Sequence, residues 1–175
     1  MKSDLEKYIR NVPDFPKPGI GFKDITTLLK DGKAFYETIN VLEEHFAEKR
    51  VDKVVGIESR GFIFGAVLAY KWQIGFVPIR KPGKLPAKVI KEEYELEYGT
   101  DAIEMHADAI QPGEKILLVD DLLATGGTAA ASVKLIERLR GDISGIAFLI
   151  ELTFLNGIQK LSGYDVYSII KYAGE

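Results

Sequence analysis

The stretch Lys115 to Thr128, KILLVDDLLATGGT, decides the fold. Its opening run, Lys115 to Val119, is apolar and too short for a helix, the pattern of a strand buried on both faces of a parallel sheet. The strand is expected to end at Asp120 and Asp121. Ala124, Thr125, Gly126, Gly127 and Thr128 then lead into a helix predicted over Ala129 to Arg140, with Val133, Ile136 and Leu139 at core spacing. Glycines let a backbone come close to a ligand, and amides at a helix N-terminus point at an anion. Ala124 to Thr128 therefore reads as a phosphate cup, with Thr125 and Thr128 adding hydroxyl donors. Asp120 and Asp121 would repel a phosphate. They suit the vicinal hydroxyls of a ribose, or a metal ion. The segment as a whole reads as a sugar-phosphate site at the carboxyl end of a strand, where the ligands of open α/β sheets bind.

The flanking sequence has the same grammar. A short polar helix is expected over Asp4 to Arg10. Lys33 to Lys49 is an amphipathic helix, with Phe35, Ile39, Leu42 and Phe46 on one face. Lys53 to Ile57, Ile74 to Ile79, Ile143 to Ile150 and Asp165 to Ile170 read as strands, and Gly61 to Tyr70 as an apolar helix. Strands alternating with helices give a mainly parallel α/β sheet with right-handed crossovers. The chemistry is expected just after Ile57, Ile79, Val119 and Ile150. Tyr94, Leu96 and Tyr98 alternate with acids, and Ile103 and Met105 with Glu104 and His106, around a turn at Gly99 to Asp101. That is a β-ribbon with one apolar and one polar face. Pro13 to Gly21 and Pro78 to Pro86 gather proline and glycine and read as irregular functional loops.

Two strand ends carry cations. Glu58-Ser59-Arg60-Gly61 opens a helix, and Arg60 has the planar fork that grips phosphate. Arg80 to Lys91 holds five cations (Arg80, Lys81, Lys84, Lys88, Lys91) and no acid. This is a local field for a polyanion on a shaped, mobile lid. Other nucleotide signatures fail: Gly83-Lys84 is followed by Leu85 and Gly32-Lys33 by Ala34, where a Walker A loop needs Ser or Thr.

Composition narrows the class. The 175 residues fit one domain, and a globule of this size hides roughly 70% of the surface of its unfolded chain. Lys and Arg number 23 against 26 Asp and Glu, a net charge of −3, which argues against a general nucleic-acid binder. Cysteine is absent, so disulfides, thiolate metal sites and a cysteine nucleophile are excluded. His45 is expected on a wet helix face and His106 on the polar face of the ribbon, neither catalytic. The longest run without a charged residue, Leu122 to Val133, has 12 residues, too few to span a membrane. A soluble cytoplasmic protein is expected.

These segments together resemble the type I phosphoribosyltransferases. ILLVDDLLATGGT (Ile116 to Thr128) is similar to that family's phosphoribosyl pyrophosphate motif. PDFPKPGIGFKDIT (Pro13 to Thr26), SRGFIFG (Ser59 to Gly65), RKPGKLP (Arg80 to Pro86), LEYG (Leu96 to Gly99) and IELT (Ile150 to Thr153) are similar, in order, to the branch of the family that uses adenine. The resemblance runs from about Val12 to Tyr172. It implies the type I phosphoribosyltransferase fold in a single domain, residues 1–175, with an N-terminal hood at about 11–28 and a flexible β-ribbon lid at about 80–106. The implied reaction moves ribose 5-phosphate from phosphoribosyl pyrophosphate to N9 of adenine, giving AMP and pyrophosphate in purine salvage. It further implies Mg²⁺ carried by substrate oxygens rather than a protein cage, no nucleic-acid or membrane partner, and a homodimer that uses the helix Gly61 to Tyr70.

By the same resemblance, Asp120 and Asp121 hold the ribose hydroxyls and Ala124, Thr125, Gly126, Gly127 and Thr128 the 5′-phosphate. Ser59 and Arg60 lie at the pyrophosphate, after a cis peptide at Glu58–Ser59. Arg80, Lys81 and Lys84 complete that grip, in one form across a dimer interface. Glu97 matches the catalytic glutamate of the Leu-Glu-Tyr-Gly motif. Phe22 packs on the purine, Gly21 and Lys23 read its edge through backbone groups, and Leu152 closes the other face. Gly21 departs from the larger side chain common at its position, and Lys23 from an arginine. Two alternatives stand beside this: a relative of the same fold acting on xanthine, hypoxanthine or orotate, and a non-enzymatic sensor of phosphoribosyl pyrophosphate that regulates transcription. The negative charge and the lack of a winged-helix extension argue against the sensor.

Overall fold

Strands rich in β-branched residues and helices with one apolar face can bury those surfaces only against each other, which here produces three layers. The computed structural model describes residues 4–96 and 99–174. A 3-10 turn at Leu5–Tyr8 leads into β1 (Arg10–Val12), which pairs antiparallel with β2 (Phe22–Asp24). Then follow α1 (Thr26–Leu29), α2 (Gly32–Phe46), β3 (Lys53–Ile57), α3 (Gly61–Trp72) and β4 (Gly75–Ile79). The ribbon β5 (Val89–Glu95) and β6 (Thr100–His106) precedes β7 (Lys115–Leu123), α4 (Gly127–Arg138), β8 (Asp142–Leu152) and β9 (Val166–Tyr172).

Among the described residues, five strands form one parallel sheet in the order β4-β3-β7-β8-β9. Alternate residues of its central strands feed two cores. Val54, Leu117, Val119, Ala147 and Leu149 pack with α2 and α3, through Leu42, Phe46, Phe64 and Leu68. Val55, Ile57, Leu118, Ile146 and Phe148 pack with α4 and the ribbon, through Val133, Ile136, Ile103 and Met105. The chain runs from β3 through α3 outward to β4, and from β7 through α4 outward to β8, the opposite way. Crossovers of one hand therefore lay α3 and α4 on opposite faces. The helices part between β3 and β7, and the crevice this opens lies at the carboxyl ends of those two strands.

Most expected elements stand within a few residues of their sequence bounds, and the departures have physical causes. Asp4 to Arg10 is a single turn and the start of a strand, because Arg10 and Asp24 face each other in the β1–β2 register. The long helix starts at Gly32, where Asp31 accepts from the amides of Lys33 (3.0 Å) and Ala34 (2.9 Å), a cap worth about 1 kcal/mol. Pro78 sits inside β4, permitted because β4 is an edge strand with no ladder on its far side. The ribbon is not polar on one face. Glu104 is buried, its backbone bridged to Arg80 and its carboxylate accepting from the Gly83 amide at 3.1 Å, since the loop after β4 crosses over it. No helix among the described residues is long and apolar enough to cross a membrane.

Candidate active site

Three loops meet at the crevice. The first follows β3. Its Glu58–Ser59 peptide is cis, as the resemblance implies, and Arg60 then opens α3. The second is the acidic pair. Asp120 and Asp121 lie inside β7 rather than beyond it, because Leu122 and Leu123 continue the ladder opposite Ile150 and Glu151 of β8. Gly61 permits the close approach of α3 to this pair. A Cβ there would lie 2.7 Å from the Val119 carbonyl oxygen and 2.9 Å from Asp120 Oδ1. Burial, together with the neighbouring Asp121 carboxylate, pushes the Asp120 carboxyl well above its ordinary value. Asp121 is buried, and its Oδ2 meets Arg60 Nε at 2.6 Å.

The third loop is the cup, Ala124 to Thr128. Gly126 takes the left-handed conformation, φ +78°, and α4 starts at the next residue. The cup rests on Gly157, in the 3-10 turn after β8. A Cβ on Gly126 would run into the Gly157 carbonyl, and a Cβ on Gly157 into the Ala124 carbonyl. Two bare backbones therefore fix the shape of the loop. Nothing in the Gly-Gly-Thr stretch announces Gly157. Its only sequence signal is the turn dipeptide Asn156-Gly157.

The hood joins the same place. Phe22 stands in β2, packed edge-on against Phe15 with centroids 5.2 Å apart, and the Arg60 guanidinium lies 5.4 Å from its ring centre. Lys23 turns away: its ammonium donates to Asn11 Oδ1 (3.1 Å) and lies 4.4 Å from the ring of Tyr172. Gly21 is half-buried just before β2, and Leu152 is buried at the carboxyl end of β8. Glu97 lies outside the described residues. Its neighbours Leu96 and Gly99 are joined by a bond from the Leu96 amide to the Gly99 carbonyl, 2.9 Å.

The basic loop is not the open positive field its composition suggests. Glu58 accepts from Lys84 Nζ (2.6 Å), the Lys81 amide (2.9 Å), and Arg80 Nε (3.2 Å) and Nη2 (3.3 Å). Lys81 Nζ pairs with Asp101 and donates to the Tyr94 hydroxyl at 3.2 Å. Arg80, Lys81 and Lys84 are thus gathered on two carboxylates, three cations against Glu58 and Asp101. Glu58, Asp101 and Tyr94 were invisible as partners in the sequence because each lies on a different element from the cation it holds.

Burial acts to raise the Glu58 carboxyl, but its bonds to Lys84, Lys81 and Arg80 outweigh that and hold it at about 2, against an ordinary 4.5. A carboxylate whose pKa is lower in the folded state adds stability above its unfolded pKa and loses it as pH falls toward the folded one. The melting temperature is therefore expected to drop as pH goes from about 5 to about 2. Glu58→Gln should flatten part of that slope. Identical slopes in thermal melts of the two proteins would show that Glu58 contributes nothing there.

His45 is exposed as expected, though its ring stacks on Tyr167 at 3.7 Å. His106 Nε2 accepts from the Ala87 amide at 3.4 Å. Among the described residues, no three His, Asp or Glu side chains gather as a metal cage.

The phosphoribosyl transferase domain family matches residues 25–166, which take in strands β3 to β8 and the three crevice loops. The adenine phosphoribosyltransferase of Desulfitobacterium hafniense is 59% identical over 169 residues, covering 97% of this chain and 98% of that protein. The chain belongs to the adenine phosphoribosyltransferase family. The crystal structure of the Thermoanaerobacter pseudethanolicus member superposes with a TM-score of 0.95 at 54% identity, covering 98% of this chain and all of that one. The Saccharomyces cerevisiae member, complexed with adenine and an iminoaltritol bisphosphate, gives 0.90 at 41% identity, over 96% of this chain and 97% of its own. Family membership makes the protein a pentosyltransferase of purine salvage.

Proposed function

We propose that the crevice transfers ribose 5-phosphate from phosphoribosyl pyrophosphate to N9 of adenine, with the residues in the roles that follow. The observation that carries this reading is the Arg60 bridge, one guanidinium touching both Asp121 and the ring of Phe22. It makes the acidic pair and the hood neighbours, as a ribose and the base attacking it must be.

The 5′-phosphate sits in the cup from Ala124 to Thr128, on the amides that open α4. The ribose hydroxyls face Asp120 and Asp121. Ser59, Arg60, Arg80, Lys81 and Lys84 meet the pyrophosphate and neutralise it as it leaves. Phe22 and Leu152 enclose the purine, and the backbone of Gly21 and Lys23 reads its edge, a role consistent with the Lys23 side chain being engaged elsewhere. The bound adenine of the yeast relative supports this choice of base. Glu97 exchanges a proton with the purine during attack.

Mg²⁺ fits the donor set as a substrate-borne ion. Among the described residues, Glu58 is taken up by Arg80 and Lys84, and one oxygen of Asp121 is held by Arg60, so phosphate and ribose oxygens must supply most ligands, as this ion prefers. When bound, it offsets charge on the departing pyrophosphate. We place the enzyme in the cytoplasm as a homodimer. The dimer contact would lie where Tyr36 of α2 and Tyr70 of α3 stand exposed, with Lys71 Nζ 5.8 Å from the Tyr36 ring centre.

The test is to offer the pure protein phosphoribosyl pyrophosphate, Mg²⁺ and each of adenine, hypoxanthine, xanthine and orotate. AMP is expected from adenine, with the other bases far slower. Faster turnover of any other base, or binding without turnover, would overturn the reading.

A further inference from the structure

Tyr94 stands between the two anion-binding ends of the crevice. Its hydroxyl accepts from Lys81 Nζ at 3.2 Å and donates to Asp101 Oδ2 at 3.1 Å. Its ring lies against the start of α4, where a Cβ added to Gly127 would sit 3.3 Å from Tyr94 Cδ2. Strand β5, which carries it, is held along α4. Arg138 Nη1 donates to the Lys91 carbonyl at 2.6 Å, and Lys134 pairs with Glu92 at 3.2 Å. The ribbon here is docked against the helix that begins the cup.

An ammonium has three protons to give. Tyr94 and Asp101 take two from Lys81, which fixes the direction of the third. Burial opposes the charge on Lys81, but those two partners outweigh it and raise its pKa, so the side chain stays cationic.

We propose that Tyr94 is a positioning residue that couples the two phosphate subsites: its hydroxyl aims Lys81 at the pyrophosphate, and its ring backs Gly127 in the 5′-phosphate cup. The inference rests on the assignment of those subsites in the proposed function. Tyr94 touches neither the reacting atoms nor the substrate. It acts through the residues on either side of it, and its two halves act on different ends of one ligand.

The halves can be separated. Tyr94→Phe keeps the ring and removes the hydroxyl, while Tyr94→Ala removes both. Binding of inorganic pyrophosphate and of ribose 5-phosphate, each with Mg²⁺, is measured by calorimetry on both variants and on the original protein. For Tyr94→Phe the pyrophosphate affinity should fall by about 3- to 10-fold, the range of one ordinary lost hydrogen bond, and ribose 5-phosphate binding should not change. Its KM for phosphoribosyl pyrophosphate should rise with kcat preserved, the mark of lost ground-state binding. For Tyr94→Ala both ligands should bind more weakly. If that protein does not fold, Tyr94→Leu takes its place with the same expectation. Wild-type pyrophosphate affinity in Tyr94→Phe, or unchanged ribose 5-phosphate affinity in the ring-less variant, overturns the inference. Failure of the original protein to bind either ligand would instead overturn the assignment of the subsites.

Discussion

Glu97→Gln is expected to leave the protein folded and able to bind phosphoribosyl pyrophosphate, and to lose turnover of adenine by about 100-fold or more, the usual scale of general acid–base catalysis. Glutamine has the shape of glutamate and keeps one acceptor oxygen, so packing and hydrogen bonding change little. What it cannot do is exchange a proton with the purine as N9 attacks. The loss should therefore fall on kcat and on kcat/KM together, with the KM for phosphoribosyl pyrophosphate near its original value, as for an interaction made only in the transition state. Single-turnover measurements with adenine would check it, because they isolate chemistry from product release. A kcat within a few-fold of the original protein removes Glu97 from the mechanism and leaves it one more acid of the ribbon, like Glu93 and Glu95.

The second large effect belongs to Gly157, far from the phosphate motif in sequence. Gly157→Ala places a methyl group inside the Ala124 carbonyl oxygen, with 2.9 Å to each of the Thr125 carbonyl carbon and the Gly126 nitrogen. Backbone cannot rotate away as a side chain does, so the cup must move. Displacement of a binding loop by about 1 Å costs on the order of 100-fold in activity, and overpacking of this kind costs about 1–3 kcal/mol of stability. Gly126→Ala should be worse, because it adds a left-handed residue, φ +78°, to the same clash. Both variants should bind ribose 5-phosphate poorly while keeping their far-ultraviolet circular dichroism. Normal ribose 5-phosphate affinity in Gly157→Ala would mean the cup does not lean on that turn.

Several features of the site were legible in the chain alone, and for definite reasons. A strand buried on both faces shows as an uninterrupted apolar run, so Lys53–Ile57 is read to its last residue. Glycine and threonine ahead of an amphipathic helix mark a loop-to-helix turn, and the acidic pair before them makes it readable as an anion cup. The end of β7 misleads because aspartate discourages strands. Only the pairing of Leu122 and Leu123 with β8 shows that the ladder continues past the acids. The short strands β1 and β2 were hidden for the same reason. Three residues carry no periodicity, and it is their register with each other that makes them strands.

The basic loop shows the division most clearly. Its charges can be counted from Arg80 to Lys91, and the count predicts a cationic field. In the fold, Arg80 and Lys84 are bound to Glu58, and Lys81 to Asp101 and Tyr94. Charge is a sum over residues and can be read from the chain. Neutralisation depends on which residues share a few ångströms, and it cannot.

The sequence by itself determined the class of fold, the glycine-rich turn into α4, the acidic pair and the absence of cysteine chemistry, because each rests on residue type and local spacing. The tertiary structure alone decided the order β4-β3-β7-β8-β9. That order sends α3 and α4 to opposite faces and opens the crevice between β3 and β7. It also decided that Arg60 reaches both Asp121 and Phe22, that Gly157 shapes the loop before α4, and that Tyr94 stands between Lys81 and Gly127. Each of these joins segments tens of residues apart, and such neighbours are chosen by the packing of whole layers, to which no local stretch of the chain has access.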